Sequence, residues 1–188
     1  MSLHIHIPQW TDPIPTKYAC LKYGKNISPK ISWTPVEGAR AYALILQDLT
    51  ANNYIHWYIP SIHHSLTTIE ELNNQKPVSI TLNQLPTFYQ KNIDIPLKQG
   101  INHTGSHGYF GPCPPPTTGK HQYVFYVFAL NKDPFVSCLK NQSKSIQLFR
   151  EKTRDEFIEF MKELGIDILS EESVSGYFDS SNVKMKKK

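Results

Sequence analysis

Residues 108–130, GYFGPCPPPTTGKHQYVFYVFAL, limit what this chain can fold into more than any other stretch. The first half, Gly108 to Gly119, holds four prolines and three glycines. Each proline fixes φ and lacks an N–H, which excludes the segment from a helix and from the middle of a sheet. What remains is a stiff loop, rich in free carbonyls and poor in donors. The second half, His121 to Leu130, is an unbroken β-branched and aromatic run. At period two, one face carries His121, Tyr123, Phe125, Val127 and Ala129, the other Gln122, Val124, Tyr126, Phe128 and Leu130. Both faces are largely apolar, as in a strand buried between two layers. His121 and Tyr123 stand where this strand leaves the rigid loop, which makes the junction one side of a candidate pocket.

The 188 residues suit one domain with a sizeable core, expected over 1–178. No apolar run approaches about 18 residues, so no transmembrane helix is expected. The opening MSLHIHIPQW has neither a basic n-region nor a long apolar h-region, so no secretory signal is expected either. Cys20, Cys113 and Cys138 are odd in number and far apart in sequence, matching neither a disulfide framework nor a CxxC metal site. Reduced cysteines and a cytoplasmic location are the corresponding expectation. The net charge of +4 is a property of the end of the chain: Lys184, Lys186, Lys187 and Lys188 lie in the last five residues. Without them the basic residues equal the 16 acidic ones. A neutral body argues against nucleic acid, whose binders spread positive charge over a face. The Lys-rich segment 179–188 is expected to be a disordered tail, with weak electrostatic contact to anionic membranes as its sharper use.

Taken in order, Leu3 to Ile7 alternates apolar residues with His4 and His6 and reads as a short strand. Ile31 and Trp33 alternate on another that Pro35 ends. Ala41 to Gln47 is a strong strand, apolar on both faces, and it ends at Asp48. Tyr54 to Pro60 follows after a polar loop, with Ile55, Trp57 and Ile59 expected on one face and Tyr54, His56 and Tyr58 on the other. Leu66 to Asn74 reads as one or two helical turns capped by Thr67 or Thr68. Val78 to Leu82 reads as a short strand, and Pro86 to Gly105 as a long loop. Thr153 and Glu156 make a capping box, with Phe157, Phe160, Met161 and Leu164 at helical spacing and Gly165 as the stop. Strands outnumber helices and are separated by turns. The expected fold is therefore mainly β, an antiparallel β-sandwich with peripheral helices including one near the C-terminus.

Nucleotide-binding glycine loops, H-E-x-x-H and G-x-S-x-G are all absent from the sequence. The sequence makes a poor case for an enzyme, and no catalytic residue, metal or cofactor is expected. The polar residues at or near strand ends are Asp48, His56, His121 and Tyr123. Histidines and a tyrosine offer N–H and O–H donors, and an aspartate can fix a histidine tautomer. Asp48 is expected to favour the charged form of a nearby histidine, and two histidines beside this one carboxylate are the expected partners of a phosphate-like anion.

KNISPKISW, the apolar strand ending in Asp48, His56-Trp57 and GYFGPCPPPTTGKHQY, in that order, resemble the phosphatidylethanolamine-binding protein family, closest to its prokaryote-type, Raf kinase inhibitor-like branch. TRDEFIEFM and SVSGYF extend the similarity over roughly residues 18–178. The resemblance implies an antiparallel β-sandwich with a pocket at one end for phosphate-like anions or phosphoethanolamine-type headgroups. By motif it implies ligand-binding roles for Asp48, His56, Gly111, Pro112, Pro114, Pro115, His121 and Tyr123. It also implies a regulator of signalling that recognises a phosphorylated partner, or alternatively a protein–protein inhibitor of a kinase or peptidase acting partly outside the pocket. It leaves a homodimer open. Two departures stand out. Leu49, Thr50 and Asn52 replace a proline, an aspartate and a proline after Asp48, and Gln122 replaces an arginine between His121 and Tyr123. Pro77 to Lys98 has no clear counterpart in the family.

The tail generates its own test. Deleting Lys184 to Lys188 should weaken binding to anionic vesicles, as added salt should, without lowering stability. Co-sedimentation unchanged by the deletion would reduce the tail to a solvated end.

Overall fold

The apolar run becomes strand β6, Lys120–Leu130, in a computed structural model that describes residues 2–71, 99–139, 141–181 and 183. Its alternation divides the core as expected. Tyr123, Phe125, Val127 and Ala129 enter one apolar cluster, Phe128 and Leu130 another. Both faces therefore need cover. β3 (Ala41–Asp48) pairs antiparallel with β6 on one side and with β4 (Tyr54–His63) on the other. β7 (Ile168–Asp179) closes the far side of β6, giving a four-stranded antiparallel sheet in the order β4-β3-β6-β7.

One face of that sheet is covered by a second, three-stranded antiparallel sheet, in the order β1-β2-β5: β1 (Ile5–His6), β2 (Ile31–Trp33) and β5 (Thr68–Ile69). Leu3, Ile31, Trp33 and Ile69 meet Leu44, Leu46, Trp57 and Phe125 in the core between the sheets. Helices α1 (Pro134–Cys138), α2 (Gln142–Leu148) and α3 (Arg154–Glu163) supply the cover on the other face. There Cys138, Leu148, Phe157 and Met161 meet Ala43, Ile45, Tyr58 and Phe128. The expected mainly-β sandwich with peripheral helices is the fold. Helix α3 starts at the predicted capping box and stops at Gly165, whose φ of +63° suits glycine.

Several local expectations change. Thr67 and Thr68 do not cap a helix: Thr68 and Ile69 pair with Ser32 and Ile31, because burying Ile69 on the open edge of β2 outweighs the local capping signal. The short helices α1 and α2 carry too little periodicity to be read from sequence. Strand β7 is polar along much of its length because it is a half-covered edge. The ordered chain also passes the expected boundary at 178. β7 runs to Asp179, and the buried Ser180 hydroxyl donates to the Pro114 carbonyl at 2.8 Å. The strand expected over Val78 to Leu82 and the stretch Pro77 to Lys98 lie outside the described residues. His6 of β1 and His4 just before it are exposed, and no cluster of metal-ligating side chains occurs among the described residues. No helix among them is long and apolar enough to cross a membrane.

The helical layer sets a stability ranking. Phe157→Ala, at a fully buried contact between α3 and the sheet, should cost about 3–5 kcal/mol. Thr153→Ala, which removes the cap, should cost about 1 kcal/mol. Urea unfolding would check both, and a reversed order would mean that α3 is held by its own turn rather than by packing.

Candidate functional site

Strand parity and one irregularity bring the polar residues to a single place. Asp48 extends the row of Tyr42, Leu44 and Leu46, and it sits directly opposite Tyr123 on β6. His121 and Tyr123 extend the row of Phe125 and Val127, so all three face the space between the sheets. His56 should miss this space by simple alternation, because it was grouped with Tyr58, which lies on the helical face. It does not miss it. Leu46 pairs with Trp57 but Gln47 pairs with Ile55, so His56 is the extra residue of a β-bulge. Ile55 consequently turns to the helical side, while Trp57 stays on the inner one. A bulge of this kind re-aims a side chain next to a site.

The result is a cavity of about 330 Å³ lined by Asp48, Ala51, Tyr54, His56, Phe110, Cys113, Pro114, Pro115, His121 and Tyr123. Six of the eight predicted residues are among them. Gly111 and Pro112 are not; they hold the wall from behind. A Cβ on Gly111 would lie 2.0 Å from the Tyr18 carbonyl oxygen, so only glycine permits this approach. The Gly111 N–H donates to Asn26 Oδ1, and the Pro112 carbonyl accepts from the Cys20 N–H. Tyr54, Phe110 and Ala51 are lining residues that sequence reasoning missed. Tyr54 opens β4 two residues before His56, a proximity signal that the alternating pattern overrode.

Each polar group has a defined state. Asp48 is buried, and its carboxylate is fully engaged. Oδ1 accepts the N–H groups of Thr50 and Ala51 at 2.9 and 3.1 Å, and Oδ2 faces His121 Nδ1 at 2.7 Å. The acceptor-only carboxylate requires the proton on that nitrogen. His121 Nε2 meets Thr118 Oγ1 at 2.9 Å, and that hydroxyl can also donate to the Pro115 carbonyl. Both His121 nitrogens are thus held by the chain itself.

His56 donates from Nδ1 to the Phe110 carbonyl at 2.7 Å and stacks on the Phe110 ring. Burial pushes its pKa down to about 4, only partly offset by that hydrogen bond and by the Asp48 charge. The ring is therefore neutral near pH 7, and Nε2 is a lone-pair acceptor. For His56 this overturns the expectation that Asp48 raises the pKa of a nearby histidine: the desolvation cost exceeds the attraction of Asp48. Tyr123 is the open group. Its hydroxyl is buried without a hydrogen-bond partner, and burial together with Asp48 raises its pKa, so it remains a donor.

The wall carries a second correction. Cys20 and Cys113 form a disulfide, with Cα atoms 5.4 Å apart across 93 residues of sequence. Cys138 is the free, buried thiol. Distance along the chain carried no information about this approach, which depends on the proline loop folding back onto residues 18–26. Tyr109 Oη donates to the Tyr18 carbonyl, and Tyr23 Oη to the Pro114 carbonyl, along the same seam.

Comparison with known proteins agrees with this architecture. A family model described as phosphatidylethanolamine-binding protein matches residues 8–178. A UPF0098 protein of Aquifex aeolicus is 37% identical over 123 residues, which cover 64% of this chain and 62% of that protein. The chain thus spans less than two thirds of that relative's length. A UPF0098 protein of Methanothermobacter thermautotrophicus is 37% identical over 134 residues, covering 70% of this chain and 77% of that protein. The solved structure of E. coli YbcL, described as a new member of the mammalian PEBP family, has a TM-score of 0.65 at 20% identity. That likeness covers 95% of this chain and 99% of the other and shows a shared fold.

The neutral His56 sets a pH dependence of stability. Its folded pKa lies below the unfolded value of 6.5. Between about 6.5 and about 4 the unfolded chain therefore binds a proton that the folded chain refuses, and stability falls as pH falls. The span corresponds to about 3 kcal/mol. His56→Gln should remove that share of the slope in urea unfolding at pH 7, 6, 5 and 4.5. An unchanged slope would place the acid sensitivity elsewhere.

Proposed function

Because the chain belongs to the phosphatidylethanolamine-binding protein family, we propose that its end-of-sandwich cavity binds, without turnover, a small phosphorylated group that brings its own proton donor. A phosphoethanolamine-type headgroup and the monoanion of phosphate share this chemistry. The observation that carries the reading is the Tyr123 hydroxyl, a buried donor left without a partner on a cavity wall. Among the other polar lining side chains, neutral His56 presents an acceptor, Asp48 a negative charge and Tyr54 a hydroxyl, and no lysine or arginine lines the cavity among the described residues. A phosphate dianion would meet the negative charge of Asp48 with no lysine or arginine among the described lining residues to offset it. A P–OH or an ammonium can instead donate to the acceptors, while a phosphate oxygen accepts from Tyr123. Gln122 in place of the family's arginine fits the same preference for a ligand of low net charge.

Calorimetry with inorganic phosphate, phosphoethanolamine and phosphatidylethanolamine vesicles separates the sources. Affinity for inorganic phosphate should fall roughly tenfold per pH unit above its second pKa, about one unit higher than the ~6 of a phosphomonoester, as the dianion forms. Tyr123→Phe should weaken binding roughly tenfold to a hundredfold, the loss of one hydrogen bond to a charged group. It should leave stability equal or higher, since the hydroxyl is unsatisfied in the free protein. Indifference of wild type to all three probes would overturn the reading in favour of a protein–protein inhibitor working through its outer surface.

A further inference from the structure

The disulfide joins the cavity wall to the body at the one residue between Pro112 and Pro116 that can donate a backbone hydrogen bond. From Pro112 to Pro116 the sequence is P-C-P-P-P, and every proline lacks an N–H. Cys113 is the exception. Cys113 and Tyr123 both line the cavity, so this backbone donor of the wall and the cavity's unpartnered hydroxyl border the same space. The hydrogen bonds of the wall attach on either side of Cys113. Tyr109, Gly111 and Pro112 bond to residues 18–26 before it. Pro114 accepts from Tyr23 and Ser180 after it. The covalent tether of Cys113 itself is the bond to Cys20.

The two sulfurs differ in access. Cys20 is 2% exposed, whereas Cys113 is half-buried and lines the cavity. We propose that Cys113 is a thiol–disulfide exchange site reached through the cavity, so that redox state and ligand occupancy control each other. This inference rests on the reading of the cavity as a pocket for a phosphorylated group. A thiolate of a small dithiol attacks Cys113 Sγ, forms a mixed disulfide and expels Cys20 as a thiolate, which takes a proton. The reductant's second thiolate then closes its own disulfide and releases Cys113, which takes another proton. Two electrons and two protons pass to the protein, and the dithiol leaves oxidised. Released from Cys20, Cys113 holds its N–H less firmly, and the phosphorylated group binds more weakly. Conversely, a bound group stands in the path of the attacking thiolate. Linkage requires that the two equilibrium effects be the same factor.

The test uses the full chain and phosphoethanolamine at pH 7. Calorimetry should give a dissociation constant about tenfold higher after reduction by dithiothreitol than before it. Alkylation after an unfolding acid quench, read by mass spectrometry, should show saturating phosphoethanolamine slowing the change from one free cysteine, Cys138, to three, whereas sodium chloride at equal ionic strength does not. Near-UV circular dichroism must show that the reduced chain keeps its packing, and unfolding on reduction would overturn the switch. Cys113→Ser keeps the N–H but removes the tether, and it should bind like the reduced wild type. Equal affinities in the two redox states, or a reduction rate unaffected by bound phosphoethanolamine, would overturn the redox link and leave the pocket standing. No binding to the oxidised chain would overturn both.

Discussion

A strand that is apolar on both faces cannot be stable unless both faces are covered, and β6 imposes this requirement on the whole molecule. Its inner face, from Tyr123 to Ala129, draws the three-stranded sheet over it. Its outer face, through Phe128 and Leu130, draws Phe157 and Met161 of α3. The covers differ because their inputs differ. The inner one is assembled from short, distant strands around Trp33 and Ile69, the outer one from a continuous helix with its own cap. At about 25 cal/mol per Å² of apolar surface removed from water, burying these large aromatic rings is the main driving force of the architecture.

The same strand ends in polar residues, and there the logic inverts. Asp48 is as buried as its apolar neighbours, and two backbone N–H groups and His121 surround its carboxylate, which offsets the cost of enclosing it. Those N–H groups come from the loop after β3, which turns through Asn52 and Asn53 with φ near +50° and +58°. Asparagine tolerates that left-handed region. Gln47, on the other face of β3, donates to Asn53 and accepts from the first N–H of α3, anchoring the loop to the helical layer. The family's prolines are thus replaced here by side-chain hydrogen bonds that hold the loop in place.

The proline wall solves a different problem. A segment with almost no N–H groups cannot join a sheet, so it is fixed through its carbonyls, by the close approach of Gly111 and by a covalent bond. Pro114 accepts two buried hydroxyls, from Tyr23 and from Ser180 just past the end of β7. The wall therefore rests on segments from both ends of the chain. Tyr123 is one of four buried donors without a partner among the described residues, with Trp10, Trp33 and Tyr58, and of the four it alone lines the cavity. Such groups are few in native proteins, and each calls for an explanation.

Much of this was determined by the sequence alone. The two-faced run at 121–130, the strand at 41–48, the capped stripe at 153–165 and the proline loop carry their structure locally, in side-chain period and in fixed φ. They were enough for a sandwich with helices and for the convergence of Asp48, His121 and Tyr123, which parity places on one face. Three features belong to the tertiary structure. The bulge at His56 reverses the alternation of β4, and nothing in YIHWYIP marks where a ladder slips by one residue. The Cys20–Cys113 bond depends on two loops meeting across 93 residues, a distance that sequence does not encode. The neutral state of His56 follows from desolvation outweighing the nearby carboxylate, a balance that exists only once the ring is enclosed. Local pattern reports backbone period and rotational freedom, whereas register slips, long-range contacts and protonation are properties of the packed interior.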